Sequence, residues 1–544
     1  MQLLHTILIM LLVVGGTRIA AQFLPVPLPI IQILSGALLA LPALGLHVRL
    51  DPELFLLLFI PPLLFVDGWR MPKGEFRRLR TPILLLAFAL VLFTVLVAGW
   101  LIHLLLADVP LAVAFALAAV LSPTDAVAVS AIARNRLPRT LMNILQGEAL
   151  MNDASGLVAF KFAVAAALTG IFSLADASLK FVLVALGGLL VGVALGYTLS
   201  RVRAWMIARG WEDPAPHVMF MLLLPFAAYV LAEHLGVSGI LSAVAAGMVQ
   251  SRLDLLPRQT TTRLLNRSVW HLLEFTFNGL IFLLLGLQLP DIVKAAARGA
   301  EGSVWLTACQ LAFYVLAVFF ILLSLRFLWM YGYWRISSAL RHWRGLPSAV
   351  DGQSPVRLAA LLSLGGVRGA VTLAGVLSLP LLGNGEAFPE RDLLIFIAAG
   401  VILLSLLAAS VGLPRLLAGL PPDNEDARLS ELQRHWARTV EAAIRALEAQ
   451  AEDASLDAEG MALATEVKAK IMAEYRQQLE QDSSGEARTR MRQMDELEQR
   501  LRLEALRAQR LELYRLRREH QVDDDLLGEI LRDLDISEAR LQRG

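Results

Sequence analysis

The sequence predicts an all-α polytopic membrane protein with about 13 transmembrane helices, followed by a helical tail. Two observations from composition support this: 56% of the 544 residues are hydrophobic, and the mean hydropathy is +0.60. A third is the change of character after residue 420, since residues 421–544 carry 20 basic and 28 acidic side chains. We therefore divide the chain into a transmembrane domain, residues 1–420, and a charged helical tail, residues 421–544.

Apolar segments long enough to cross a bilayer, which takes about 20 helical residues, follow one another from the N-terminus. The first has no basic residue ahead of it and is interpreted as a membrane helix rather than a signal peptide. The thirteen segments lie near residues 3–20, 24–46, 53–69, 81–106, 110–132, 140–170, 178–200, 216–234, 237–250, 270–289, 304–329, 357–381 and 392–418. The division between the eighth and ninth rests on residues 235–238 alone.

Basic residues are distributed unevenly between alternate loops. One set of loops contains 21 Lys and Arg residues, among them Arg326, and the other set contains five. Because cytoplasmic loops are rich in Lys and Arg, the N-terminus is predicted to lie outside and the tail in the cytoplasm. An inverted repeat of segments 1–6 and 8–13 is consistent with this count.

The tail is predicted to be helical and soluble. Met491, Met494, Leu497 and Leu501 follow helical spacing, which predicts one long amphipathic helix over residues 486–518. The simplest interpretation is a self-packing extension, and a regulatory or dimer-forming role stays open. The tail has no nucleotide, metal or phosphate motif, so its ligand is unknown and no nucleic-acid partner is predicted.

The sixth segment contains polar residues at bilayer depth. A charge there costs roughly 2.5–3.5 kcal/mol on insertion scales and usually faces a water-filled path or a partner. At 100° per residue, Glu148 and Asn152 share a helix face, whereas Asp153 points about 140° away from Glu148. Asp153 is therefore predicted to face a cation path. Glu148 needs a buried partner, and Arg368 is the natural candidate, even if their ion pair is purely structural.

Two further segments bring acids to similar depth. Asp67 lies near the end of the third segment, and Thr124 and Asp125 follow Pro123 in the middle of the fifth. Each acid has a structural alternative. Asp67 could pair with Arg70 at the membrane interface, and Asp125 could cap the helical half that begins after Pro123.

Helix breakers interrupt the fifth and twelfth segments. The interruptions are Ser122-Pro123-Thr124 and Gly365-Gly366-Val367-Arg368-Gly369. In an inverted repeat these two segments are equivalent, and broken helices at matching positions are typical of transporter binding sites. Unwound carbonyl groups near Thr124 are candidate cation ligands, with Asp125 offsetting an exposed helix N-terminus.

Several motifs in sequence order lie across most of residues 1–420. They are Phe59-Ile60-Pro61-Pro62-Leu63-Leu64-Phe65, Ser122-Pro123-Thr124-Asp125, Gly147-Glu148 with Asn152-Asp153, Phe282-Leu283-Leu284-Leu285-Gly286 and Gly366-Val367-Arg368-Gly369-Ala370-Val371. In them the chain resembles bacterial members of the monovalent cation/proton antiporter-1 family, the sodium/proton exchangers of the NhaP and NHE type. The tail lies outside this resemblance.

The resemblance implies a homodimer in which a six-helix core domain moves against a dimerisation domain. It also implies that Asp153 binds proton and cation alternately, and that Asn152 is the neutral neighbour found where exchange is electroneutral. Glu148 and Arg368 match the family's stabilising ion pair. The implied Na⁺ ligands are Asp153, Asp125, Thr124 and Asp67.

Two positions depart from the family's pattern. Ala149 stands where many relatives carry serine, so water would replace a hydroxyl ligand. Ala126 stands where proline is frequent, so Pro123 is left to shape the interruption. Both departures bear on cation preference.

The predicted function is alternating-access exchange of one H⁺ for one Na⁺, or for Li⁺ or K⁺, serving pH and sodium homeostasis. Burial favours the neutral acid at Asp153 and a bound cation favours the carboxylate, so the two ligands compete for one site. The expected location is the bacterial inner (plasma) membrane. Lipid and monovalent cations are the expected partners, and no cofactor or enzymatic activity is expected.

Three alternatives remain. A K⁺/H⁺ antiporter on the same scaffold is the nearest. A cation channel gated by the tail is less favoured, because the sequence has no TVGYG-like carbonyl filter. An intramembrane aspartyl protease would use Asp125 and Asp153, but its YD and GxGD signatures are absent. Scattered histidines and a single cysteine argue against a transition metal.

Overall fold

The fold is known from a computed structural model. It describes residues 2–24, 26–41, 52–71, 73–133, 136–169, 174–211, 213–253, 260–298, 304–343, 354–379, 382–383, 386–418, 425–449, 458–480 and 485–519, with a few positions up to 538. The chain divides into two compact units, Met1–Pro422 and Asp423–Gly544.

The first unit is almost entirely helical. Its helices are α1 (Gln2–Phe23), α2 (Leu28–Leu39), α3 (Pro52–Arg70), α4 (Lys73–Arg78), α5 (Arg80–Leu84), α6 (Val91–Leu105), α7 (Leu111–Leu121), α8 (Ala126–Ala133), α9 (Arg139–Thr169), α10 (Leu174–Ala208), α11 (Pro214–His234), α12 (Gly239–Leu253), α13 (Thr260–Arg298), α14 (Val304–Trp343), α15 (Pro355–Leu364), α16 (Ala370–Leu377) and α17 (Arg391–Leu417). A π-helical turn, Leu85–Leu90, joins α5 to α6. A minor departure from the all-α prediction is the antiparallel pair β1 (Leu382–Gly383) and β2 (Glu386–Ala387).

Helices lie in all of the predicted apolar segments, and α11 is separated from α12 at residues 235–238 as expected. In the described part of the chain, eight helices are long and apolar enough to cross a membrane. The bent pair α7 and α8, at 46°, gives a ninth. Because α2 and α15 are apolar but shorter, thirteen spans and the inverted repeat remain predictions.

The helices of the first unit pack in two bundles. The first bundle comprises α1–α3 and α10–α13, and the second comprises α4–α9 and α14–α17. They meet where α3 contacts α9 and α16, and where α13 contacts α16 and α17. On α9 and α11, Lys161 Nζ lies 3.1 Å from Glu233 Oε1, so an ion pair also bridges the bundles.

Close backbone packing fixes the wall of the first bundle that faces the second. A Cβ atom at Gly36 of α2 would overlap the carbonyl oxygen of Leu283, and one at Gly286 of α13 would overlap that of Ile33. Such glycines let membrane helices approach backbone to backbone. Hence α2 and α13 pack backbone to backbone.

The second unit contains α18 (Glu425–Ala449), α19 (Ala458–Glu480) and α20 (Gly485–Arg518). Helix α18 packs against α19, where Arg476 lies 3.3 Å from Glu448. Helix α20 covers the predicted residues 486–518. Arg510 on it forms ion pairs with Asp535 and Glu538.

Candidate functional site

The two interrupted spans meet at their interruptions. Helix α7 stops before residues 122–125, where Pro123 lacks an N–H group, and α15 stops before the glycine-rich residues 365–369. The backbone N–H of Asp125 donates to the carbonyl oxygen of Val367 at 2.7 Å. The two unwound segments therefore satisfy each other's backbone groups inside the protein.

Asp125 is the N-cap of α8. Its Oδ1 accepts hydrogen bonds from the backbone N–H groups of Val127 (2.9 Å) and Ala128 (3.0 Å). The alternative prediction, that Asp125 caps the helix after Pro123, is thus confirmed for one of its two oxygens. The other oxygen, Oδ2, lies against Gly369, where any Cβ would overlap it.

Arg368 binds backbone carbonyl groups. It is 3% exposed, its Nε donates to Leu121 at 3.1 Å, and its Nη1 donates to Gly366 at 2.6 Å. Leu121 is the last residue of α7, where carbonyl groups lack helical partners and carry partial negative charge. The guanidinium therefore neutralises the broken end of α7.

The predicted Glu148–Arg368 ion pair is wrong, because Glu148 binds Arg326 instead. Arg326 Nη1 donates to Oε1 of Glu148, and Nη2 donates to Oε2 at 2.8 Å. Both side chains are buried, at 1% and 4% exposure, and Arg326 Nε donates to Leu362 at 3.0 Å. The guanidinium fits because Gly366 has no side chain, and a Cβ there would overlap Nε.

The prediction that Arg326 lies in a cytoplasmic loop is also wrong. Arg326 lies in the interior of α14, and its position inside the apolar segment 304–329 indicates burial rather than a loop. A buried guanidinium needs acceptors, and a carboxylate is the strongest of them. From the sequence alone, Arg326 and Arg368 were therefore equally plausible partners of Glu148.

Asp153 lies on α9 beside a cavity of about 500 Å³ at the contact of the two bundles. Its side chain is 7% exposed. The four predicted Na⁺ ligands all line this cavity, namely Asp67, Thr124, Asp125 and Asp153. Ala149, where a serine was expected, and Ala126 line it too. Its polar lining includes carboxylate and hydroxyl oxygens, which suit a hard cation.

Asn152 is placed behind the cavity rather than in its lining. It is fully buried, and its Nδ2 donates to Thr124 Oγ1 at 2.9 Å. Its Oδ1 has no hydrogen-bond partner among the described residues. Asn152 therefore acts on the cavity through Thr124, linking α9 to the interruption of the fifth segment.

An ion pair that the sequence analysis missed lies beside the cavity. Arg70 Nη1 of α3 is 2.5 Å from Glu274 Oε2 of α13, so the hydrogen-bonded partner of Arg70 is Glu274 rather than Asp67. Arg18 lies nearby, 5.6 Å from the ring of Phe275. Glu274 stands four residues inside the tenth apolar segment, and an acid at that position was the sequence signal that could have identified it.

A second missed residue is Thr372 of α16, which lines the cavity and is 1% exposed. A threonine in an apolar helix gives no sequence signal by itself. Across the described residues, no group of three or more His, Cys, Asp or Glu side chains is arranged to hold a metal ion.

A buried carboxylate beside the contact of two helix interruptions, one between α7 and α8 and one between α15 and α16, is typical of a secondary transporter. The sodium/hydrogen exchanger transmembrane family model matches residues 8–419. The chain therefore belongs to the sodium/hydrogen exchanger family, as the resemblance predicted. It is a multi-pass membrane protein and a cation/proton antiporter, in a family of ion transporters rather than enzymes.

Relatives extend over nearly the whole chain. An uncharacterised Na⁺/H⁺ exchanger of Escherichia coli is 44% identical over 99% of this chain and 99% of its own length. A sodium, potassium, lithium and rubidium/H⁺ antiporter of Bacillus pumilus is 39% identical over 96% of this chain and 76% of its own length. The sodium/proton antiporter MjNhaP1 of Methanocaldococcus jannaschii has a similar fold, with a TM-score of 0.57, 18% identity, and coverage of 77% of this chain and 99% of that protein.

Proposed function

We propose that the protein exchanges one H⁺ for one Na⁺ at Asp153 by alternating access. The observation that carries the proposal is the position of Asp153. It is a buried carboxylate on the wall of a cavity that Asp67, Thr124 and Asp125 also line, where two interrupted helices meet. Among these groups, Asp125 has one oxygen committed to capping α8.

Coupling follows from competition at Asp153. Burial disfavours the charged carboxylate, so without a cation the site holds a proton. A cation entering the cavity stabilises the carboxylate and displaces that proton. Because one group serves both ligands, the two fluxes are linked without a further device.

The 1:1 stoichiometry is supported by the residue next to Asp153. Asn152 is neutral and hydrogen-bonds to Thr124, so this pair of positions contributes one titrating group. One positive charge in each direction makes exchange electroneutral. Proteoliposome exchange should therefore be insensitive to an imposed membrane potential.

The residues around the cavity support an inward-facing state, in which the site opens toward the cytoplasm. Its lining includes Arg18 and Arg70, near the ends of α1 and α3 that the loop charges place in the cytoplasm. It also includes Gln146, near the predicted cytoplasmic end of α9. In alternating access, relative movement of the two bundles would open the site to the other side.

A broader cation range is the second candidate. The Bacillus pumilus relative is named as an antiporter of sodium, potassium, lithium and rubidium. Transport of K⁺ or Li⁺ on the same scaffold is therefore the closest alternative. With either range, we infer a homodimer in the bacterial plasma membrane that serves pH and sodium homeostasis and needs no cofactor.

The proposal is tested in proteoliposomes carrying an imposed pH gradient and a pH-sensitive dye. Adding Na⁺ should collapse the gradient with wild-type protein and not with Asp153→Asn. Asp108→Asn, which changes an exposed loop acid, is the matched control and should transport normally. Retained Na⁺-driven proton flux in Asp153→Asn would contradict the assignment. Uncoupled Na⁺ current across a bilayer would support the channel instead.

A further inference from the structure

Thr372 carries a buried hydroxyl that the proposed exchange site does not yet use. Its side chain is 1% exposed, lines the cavity beside Asp153, and its Oγ1 has no hydrogen-bond partner among the described residues. Burying a hydroxyl without a partner is unfavourable. A hydroxyl group in this position is therefore a candidate to bind a ligand in the cavity.

The start of α16 explains why this hydroxyl is free. A threonine inside a helix usually donates to the carbonyl group three or four residues earlier. Four residues before Thr372 is Arg368, which precedes the helix. Three residues before it is Gly369, the N-cap of α16, whose backbone is extended (φ −136°, ψ −144°) and not helical, so its carbonyl group is not placed as in a regular helix. The interrupted span thus leaves the hydroxyl without its usual acceptor.

The same element brings the hydroxyl close to the acids. Gly369 contacts Oδ2 of Asp125, and Thr372 follows three residues later, a helical rise of about 4.5 Å. Asp125 precedes α8, Asp153 lies on α9 and Thr372 lies on α16, and all three line the same cavity. Three elements thus contribute side-chain oxygen atoms to its lining.

We propose that Thr372 Oγ1 is a direct ligand of the transported cation, contributed by the second interrupted span. The inference rests on the proposed function and adds a ligand that the family resemblance did not supply. When Asp153 is ionised, the hydroxyl accepts the cation through its oxygen. When Asp153 is protonated, no cation is present to bind the hydroxyl. The ligand therefore favours the cation-bound state alone and sets cation affinity.

The test replaces Thr372 by Val, which keeps the shape and removes the oxygen, and by Ser, which keeps the oxygen. Thr372→Val should raise the KM for Na⁺ about tenfold, as expected for losing one well-placed polar interaction, while Thr372→Ser stays within about twofold of wild type. Thr17→Val is the control, since it removes a buried hydroxyl that donates to Val14 at 2.8 Å and lies outside the cavity lining.

A second readout separates a ligand from a packing residue. Bound Na⁺ should raise the Tm of the purified wild-type protein by mass action, and Thr372→Val and Thr372→Ala should show a smaller rise. In the absence of Na⁺, Thr372→Val should be as stable as wild type or more so, because an unpaired buried hydroxyl has been removed.

A wild-type KM together with a wild-type Na⁺-dependent rise in Tm in Thr372→Val would overturn the inference. The same holds if Thr372→Ser is as impaired as Thr372→Val, since shape rather than oxygen would then matter. Failure of the proposed function looks different: wild-type protein would show no Na⁺-driven proton flux at all.

Discussion

Three buried charged residues next to the interrupted spans have separate structural tasks. Arg326 neutralises Glu148 through two hydrogen bonds, and Arg368 neutralises the broken end of α7. Neither arginine lines the cavity in the described part of the chain. The charges that support the fold are thus kept apart from Asp153, the proposed site of proton and cation binding.

At the residue scale, Arg326→Leu should lower the free energy of unfolding by about 3–5 kcal/mol, because it leaves Glu148 buried and unpaired. The double variant Arg326→Leu with Glu148→Leu should recover part of that loss. Thermal unfolding in detergent measures both. A loss in the double variant as large as that of the single variant would show that Glu148 is not the group left uncompensated.

At the scale of elements, the crossing of the interrupted spans could be predicted in part. Pro123 and the glycines of residues 365–369 mark where the helices stop, and those positions agree with the structure. Their contacts could not be predicted, because the rotation of each helix is set by packing against distant segments. Glu148 and Arg326 are 178 residues apart. The free hydroxyl of Thr372 likewise depends on α16 beginning at Ala370.

Gly369→Ala tests this crossing. The new Cβ would overlap Asp125 Oδ2, and Asp125 cannot move far because its other oxygen caps α8. We expect kcat/KM for Na⁺ to fall at least tenfold, since about 1.4 kcal/mol of displacement or lost capping suffices. Gly332→Ala in α14 is the control, because no atom lies within 4 Å of its added Cβ. Equal transport by both variants would contradict the tight crossing.

At the scale of the whole molecule, the family and the helical membrane architecture were predictable from composition and motif order. The bundle to which each helix belongs was not predictable, since it depends on contacts between segments far apart in sequence. One such contact is the Lys161–Glu233 ion pair, with Glu233 also accepting from the N–H of Gly239 at 3.2 Å. Lys161 lies eight residues past Asp153, about 12 Å along α9 and away from the cavity.

If the bundles move relative to each other, this ion pair must break when the outer side opens. Lys161→Met should then favour the outward-open state, by a factor of about two to five for a partly exposed pair. In a Cys309→Ala background, Leu157→Cys reports that opening, because Leu157 is buried one turn nearer to Asp153. Its labelling by an impermeant thiol reagent from outside should rise by this factor. Lys161→Arg, which keeps the charge, should leave labelling unchanged, and unchanged labelling in Lys161→Met would contradict the movement.

Proton and cation are proposed to share Asp153. Calorimetric titration of the purified protein with Na⁺, repeated in buffers of different ionisation enthalpy, counts the protons released as the cation binds. At a pH where the site is protonated, we predict release of about one proton per bound Na⁺ from wild-type protein and none from Asp153→Asn. Proton release by Asp153→Asn equal to that of wild type would contradict the account.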